Sequence, residues 1–209
     1  MIAKEGYPFV IGTLFIFLFF LLFSSSTFLQ LITFALFLFM LYFFRDPERF
    51  PEDNSKNAII SPSDGVILEI SKDISPITNK EAIKISIRLS LFDVHIQRAP
   101  ITSYIKAREY IRGAFLTISS KKASILNEQN RVLFSGIDEV VVNQIAGFLT
   151  RRIVMKKRIG EKVNVGDRYG MIIFGSQVDL YLPIESDIRV VEFQEVKAGE
   201  SLIGYLNEN

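Results

Sequence analysis

Two apolar runs open the chain, Phe9–Phe23 and Phe28–Phe44, with Ser24-Ser25-Ser26-Thr27 between them. They constrain the fold more than any other feature, because segments this apolar must be buried in lipid or in protein. Met1–Phe44 holds 12 of the 19 Phe residues, and its only charges are Lys4 and Glu5. The second run has 17 residues, about 26 Å as a helix at roughly 1.5 Å per residue. A bilayer core is about 30 Å thick, so each run is just long enough to span. The pattern predicts a helical hairpin with its Ser/Thr turn at the far interface; a shallow hairpin dipping into one leaflet is the alternative. Ser24–Ser26 resembles a signal-peptide cleavage site, but a second apolar run follows at once and the leading segment has one Lys beside a Glu, which argues against cleavage. Lys4, Arg45 and Arg49 flank the runs and the linker is uncharged. Both ends are therefore expected on the cytoplasmic side, a bias that Glu5, Asp46 and Glu48 weaken.

Phe44 marks a boundary, with an anchor over 1–44 and a domain over 45–209. Arg45-Asp46-Pro47-Glu48-Arg49 is a polar exit, and Pro47 stops the helix. Short runs rich in Ile and Val then alternate with Gly, Pro, Asn and Asp. They are Ala58–Ile60, Gly65–Ile70, Ala82–Leu89, Val94–Ile96, Val132–Phe134, Glu139–Ile145, Arg152–Lys156, Gly170–Phe174, Val178–Leu182 and Ile188–Phe193. The domain reads as mainly β, with one short helix expected over Lys121–Asn130. Lys+Arg is 24 against Asp+Glu 23, so no basic excess points to nucleic acid. With Cys 0 and His 1, disulfides, thiolate nucleophiles and Cys-rich or multi-histidine metal sites fall away.

His95 is the only histidine, so any histidine base must be this one. Asp93 and His95 are two apart and would share a face if Phe92–Ile96 were a strand. Ser61-Pro62-Ser63-Asp64-Gly65 reads as a tight turn before a strand. Gly175-Ser176 interrupts an apolar run, and alternation resumes through Val178, Leu180 and Leu182. A Gly there suggests a bulge or a close backbone approach. The nucleophile elbow of hydrolases needs G-x-S-x-G, which this is not. Taken singly, each of these has a plain structural explanation.

Together they match a family. The strings Phe43-Phe44-Arg45-Asp46-Pro47-Glu48-Arg49, Ser61-Pro62-Ser63-Asp64-Gly65, Phe92-Asp93-Val94-His95, Arg98-Ala99-Pro100, Lys122-Ala123-Ser124, Asn127-Glu128, Gln144-Ile145-Ala146-Gly147, Arg151-Arg152-Ile153-Val154 and Phe174-Gly175-Ser176-Gln177-Val178-Asp179-Leu180-Tyr181-Leu182-Pro183 occur in this order. The chain resembles the short, prokaryotic form of phosphatidylserine decarboxylase proenzymes, which are pyruvoyl-dependent membrane enzymes. Arg88-Leu89-Ser90-Leu91 and Gln177 depart from the family's usual residues; neither touches the Gly-Ser pair.

The resemblance implies a barrel-sandwich fold of the lipoyl/biotinyl-like hybrid kind, which Val196–Gly204 faintly supports. It implies self-cleavage between Gly175 and Ser176 into 1–175 and 176–209, which stay together as a two-chain unit. Ser176 would be the nucleophile, His95 its base, and Asp64 the partner of His95, with Asp93 the competing carboxylate. Ser176 would become a pyruvoyl group, forming a Schiff base with the substrate amine, with no metal and no PLP. The implied partners are a membrane phospholipid and the bilayer, on the cytoplasmic side of the cell (inner) membrane. Arg45, Arg49, Arg151 and Arg152 could contact lipid phosphate, although solvated surface positions are the plainer expectation. An ether-lipid substrate such as archaetidylserine is an alternative. So are a non-catalytic anchored lipoyl-like binding module and a serine peptidase or esterase, each predicting an intact chain.

Overall fold

The structure, a computed structural model, describes residues 1–113, 126–147, 152–173 and 176–207. It divides into two compact units, Met1–Glu48 and Arg49–Asn209.

The first unit is a helical hairpin. A short 3₁₀ turn, Lys4–Gly6, leads into α1, Tyr7–Phe23; α2 is Thr27–Phe43. The linker works as a cap: Ser26 Oγ accepts the Leu29 N–H at 3.4 Å, satisfying one of the orphan donors at a helix start. The open end is tied by Ala3 N–H to Phe44 O at 2.8 Å and Asp46 N–H to Met1 O at 2.7 Å. Phe17 and Phe34 meet across the helices with ring centroids 5.1 Å apart. Lys4–Phe23 is long and apolar enough to cross a membrane, and α2 is a shorter apolar helix. Phe15, Leu22, Phe23 and Phe28 are exposed, as lipid-facing side chains would be.

The second unit is mainly β. Its strands are β1 Ala58–Ile60, β2 Gly65–Ile74, β3 Glu81–Arg88, β4 Ile96–Arg98, β5 Ser103–Ile111, β6 Gln129–Ser135, β7 Glu139–Ala146, β8 Arg152–Met155, β9 Lys162–Val163, β10 Arg168–Ile173, β11 Ser176–Pro183, β12 Asp187–Ile188, β13 Glu195–Val196 and β14 Leu202–Tyr205. They form an eight-stranded sheet in the order β13-β2-β3-β11-β7-β6-β5-β9, and two three-stranded sheets, β4-β10-β8 and β1-β14-β12. Among the described residues the strand pairings are antiparallel, so opposing residues share a face. One face of β11 sends Val178, Leu180 and Leu182 into the main core with Ile85, Ile87, Val142 and Phe134. Each such burial contributes about 1.5–3 kcal/mol.

Several expectations need correction. Asn130 and Gln129 lie in β6 rather than in a helix; residues 121–125 of that expected helix are outside the described residues. Phe92–His95 is a turn and an extended lead-in, and β4 starts only at Ile96. Of the expected strand Ile188–Phe193 only Ile188 lies in a strand, β12; Phe193 turns the chain at φ 67° and its N–H reaches Ile67 O at 2.7 Å. β5, β9, β13 and β14 add strands that the sequence pattern did not signal.

Candidate active site

The expected cleavage dipeptide falls in the chain between β10 and the start of β11. β10 belongs to the small sheet β4-β10-β8 and β11 to the centre of the eight-stranded one. Phe174 and Gly175 between them are outside the described residues, as are Arg151 and the Ser176 side chain. Ser176 itself starts β11, in register with Ala146, and two residues on Val178 pairs with Gln144.

His95 is fully buried. Its carbonyl accepts the Ile172 N–H at 3.1 Å, which fastens it to β10 three residues before Gly175. Its Nδ1 lies 2.9 Å from the Asp93 carbonyl oxygen. A carbonyl only accepts, so Nδ1 carries the hydrogen and the neutral ring keeps its basic lone pair on Nε2.

The two candidate carboxylates have different surroundings. Asp93 Oδ2 accepts the Ser90 N–H at 2.7 Å and closes the turn before His95. The Asp64 carboxylate is gripped through both oxygens by Arg49, with Nη2 to Oδ2 at 2.9 Å. It also accepts the Val94 N–H at 3.2 Å and the Ala198 N–H at 2.9 Å. Among the described residues, Asp64 therefore bonds to the backbone beside His95, and the Nδ1 bond of the ring goes to Asp93 O. Arg49 is no solvated surface residue: its side chain is 9% exposed against 8% for Asp64. Burial lowers the Arg49 pKa, but the hydrogen bonds and charge of Asp64 outweigh it and the net shift is upward. Asp64 is followed by Gly65 at φ 139°, where a Cβ would come within 2.3 Å of Arg88 O. Only Gly permits this approach of β2 to β3.

A row of buried amides links β5, β6, β7 and β4. Arg108 Nε donates to Asn130 Oδ1 at 2.6 Å, Asn130 Nδ2 to Gln144 Oε1 at 2.6 Å, and Gln144 Nε2 to Gln97 Oε1 at 2.9 Å. Asn130, Gln144 and Gln97 are fully buried. Among the described residues Gln97 Nε2 meets no acceptor. Gly170, opposite Gln97, makes room, since a Cβ there would lie 3.0 Å from Gln144 Nε2.

His95 is thus buried, fixed in one tautomer and tied to the strand that leads toward Gly-Ser. The family model for phosphatidylserine decarboxylase matches residues 36–204. A phosphatidylserine decarboxylase proenzyme of Ehrlichia canis (strain Jake) is 40% identical over 215 residues, covering 99% of this chain and 92% of the relative. The chain belongs to the phosphatidylserine decarboxylase family. A second relative of the same name, from Citrifermentans bemidjiense, is 39% identical over 223 residues, covering 98% of this chain and 96% of that one. Membership makes the chain a phospholipid decarboxylase, a lyase made as a proenzyme. For this decarboxylase, sequence reasoning missed Arg49 as the partner of Asp64, and it missed the amide row. Arg49 and Gln144 both lie in family-like strings, but no spacing rule links Arg49 to Asp64 or Gln144 to Gln97.

Proposed function

We propose that the enzyme converts phosphatidylserine to phosphatidylethanolamine and CO2, using a pyruvoyl group made from Ser176 after self-cleavage at Gly175–Ser176. The observation that carries this reading is the attachment of His95, with Nε2 as its basic nitrogen, to the strand that leads into the bond. In the cut, His95 Nε2 takes the Ser176 Oγ proton. Oγ bonds to the Gly175 carbonyl carbon, the C–N bond breaks, and the nitrogen receives the proton. β-Elimination of the resulting ester releases the Gly175 carboxylate and leaves dehydroalanine at residue 176, and its imine tautomer takes up water and loses ammonia to leave pyruvoyl. Asp64 serves by holding Val94, and with it the approach of His95, while Asp93 O sets the tautomer.

Small Ala146 lies opposite residue 176 in register, which suits a carbonyl-bearing group at that position. When present, the group supplies an electron sink for the pair released by CO2. The apolar hairpin keeps the domain at the cytoplasmic face of the cell membrane, where only the lipid headgroup need reach the site. Intact-mass measurement on purified protein tests the reading. Two chains, 1–175 and 176–209 with a keto-blocked N-terminus, together with CO2 release from phosphatidylserine vesicles, are expected. One intact chain of 23.8 kDa would refute it. Archaetidylserine in a parallel assay decides between diacyl and ether-lipid substrates.

A further inference from the structure

Ladder geometry fixes what stands beside residue 176. Ala146 spends both of its main-chain groups on the side away from β11: its N–H donates to Glu128 O at 2.9 Å, and its carbonyl accepts Asn127 Nδ2 at 2.7 Å. The Ser176–Ala146 pair is therefore of the non-hydrogen-bonded kind, and the next pair, Gln177–Ile145, is of the hydrogen-bonded kind. Gln177 thus turns its main-chain groups to β7, so its pair with Arg88 on β3 is again non-hydrogen-bonded. The same parity, two residues on, brings Ser86 of β3 into a side-chain hydrogen bond with Asp179. In such pairs the Cα atoms stand about 4.5 Å apart and the side chains are closest. Adding the roughly 3.8 Å between successive Cα atoms puts the Arg88 Cα within about 8 Å of the Cα of residue 176.

Arg88 is exposed, and among the described residues its guanidinium has neither an ion pair nor a hydrogen bond. The carboxylates of the neighbouring segments are engaged elsewhere: Asp64 holds Arg49, and Asp93 Oδ2 takes the Ser90 N–H. An exposed arginine is by itself ordinary surface; this one is distinguished by standing against the residue that follows 176. A phospholipid whose serine amine bonds at residue 176 carries its phosphate only two carbons and one oxygen away from that nitrogen. The long Arg88 side chain covers that span.

We propose that Arg88 is a substrate-binding residue whose guanidinium takes the phosphodiester of the lipid headgroup. Its planar fork suits paired N–H···O contacts with phosphate oxygens. This rests on the reading of residue 176 as the reacting group. The phosphate keeps its charge throughout, so the contact is equal in ground and transition states and acts on KM rather than on kcat. A guanidinium on the α-carboxylate would instead hold charge that the reaction must lose as CO2, and would oppose it.

The test uses the full-length enzyme and short-chain, water-soluble phosphatidylserine, with rates divided by the cleaved fraction read on a gel. Arg88→Gln is expected to raise KM on the order of 10- to 100-fold, the loss of a hydrogen bond to a charged group, with kcat nearly kept. Arg88→Lys keeps the charge without the fork and should fall between; it carries the test if too little Arg88→Gln matures. Exchanging the two side chains in Arg88→Gln/Gln177→Arg returns a guanidinium to the same cross-strand pair and should recover KM, which a merely structural role for Arg88 would not produce. Titration calorimetry with short-chain phosphatidylethanolamine, which keeps the phosphodiester and lacks the carboxylate, should show weaker binding to Arg88→Gln by the same factor. Unchanged binding of that lipid beside a raised KM would assign Arg88 to the carboxylate and overturn the proposal. A defect confined to anionic vesicles and absent on the short-chain substrate would overturn it too, reducing Arg88 to attraction for the bilayer. Wild-type protein that neither cuts nor releases CO2 fails the reading of residue 176 itself, whereas normal turnover with unchanged KM in Arg88→Gln fails only this inference.

Discussion

Arg49 holds both carboxylate oxygens of Asp64, and Asp64 in turn holds the N–H groups of Val94 and Ala198. Arg49 Nη1 also donates to Ala198 O at 3.1 Å. One buried ion pair thus joins the start of the domain, the segment entering His95 and a loop near the C-terminus. Breaking such a pair leaves an uncompensated buried charge, at a cost of about 3–5 kcal/mol. Arg49→Ala and Asp64→Asn are both expected to lower stability by that order in urea unfolding. Both should also slow self-cleavage at temperatures where they remain folded, because Val94 loses its anchor. A folded Arg49→Ala that cuts at the wild-type rate would reduce the pair to a purely structural tie.

Removing the base or the nucleophile separates their roles. Ser176→Ala should leave the chain uncut and inactive. His95→Ala should slow cutting on the order of 10²–10⁴-fold, the range for loss of a general base. Asp93→Asn should cut nearly normally, since the contact of residue 93 with His95 is a backbone carbonyl. Failure of Asp93→Asn beside a normally maturing Asp64→Asn would reverse the assignment of the carboxylates.

The small fragment should stay bound after the cut. It supplies β11, which pairs with β3 from Gln177 to Pro183 and with β7 from Ser176 to Tyr181. It also supplies β13 against β2 and β14 against β1. The cut severs only the link between β10 and β11 and spares these ladders. Native gel filtration is expected to show both pieces in one peak, parting only in denaturant. Loss of 176–209 during purification under native conditions would contradict this.

Much of the fold was legible because buried strands announce themselves as Ile/Val runs: Ala58–Ile60 was bounded to the residue, and β3, β7 and β11 within two. β5 was missed because Tyr104-Ile105-Lys106-Ala107-Arg108-Glu109-Tyr110 carries charges on its exposed face, and its bulge between Ile105 and Ala107 breaks the two-residue period. The chemistry was legible in part. A single histidine and one Gly-Ser within family-like strings point to His95 and Ser176. The partner of Asp64 was not, because long-range ion pairs such as Arg49–Asp64 leave no periodic trace. The same holds for the amide row, whose members come from β4, β5, β6 and β7.

Asp179 gives the domain a pH signature. Its carboxyl is buried on β11, and burial raises its pKa above the ordinary 3.8 despite hydrogen bonds from Gln177 and Ser86 and the charge of Lys84. A raised native pKa means that the native state binds more protons than the unfolded one across this window. Its contribution to stability is complete below about 3.8 and declines as pH rises through the native value. Asp179→Asn keeps the shape without the charge. Relative to wild type it should gain stability at neutral pH and lose that advantage under acid conditions, in urea titrations at both. A variant destabilised at neutral pH but not in acid would show instead that the carboxylate is needed in its charged form.

Deleting Met1–Phe44 should make the protein more soluble without abolishing the cut. Arg49, Asp64, His95 and Ser176 all belong to the second compact unit. The cut is intramolecular and needs proximity within that unit rather than lipid. Turnover on vesicles should fall much further than turnover on a short-chain, water-soluble phosphatidylserine, because the truncated enzyme meets a bilayer headgroup only by chance encounter. The two assays are run on one preparation: fraction cleaved on a gel, then CO2 release from each substrate. A truncated chain that folds and stays soluble but never cleaves would show that the hairpin helps to build the site. Equal loss on both substrates would show that its role goes beyond holding the domain at the membrane.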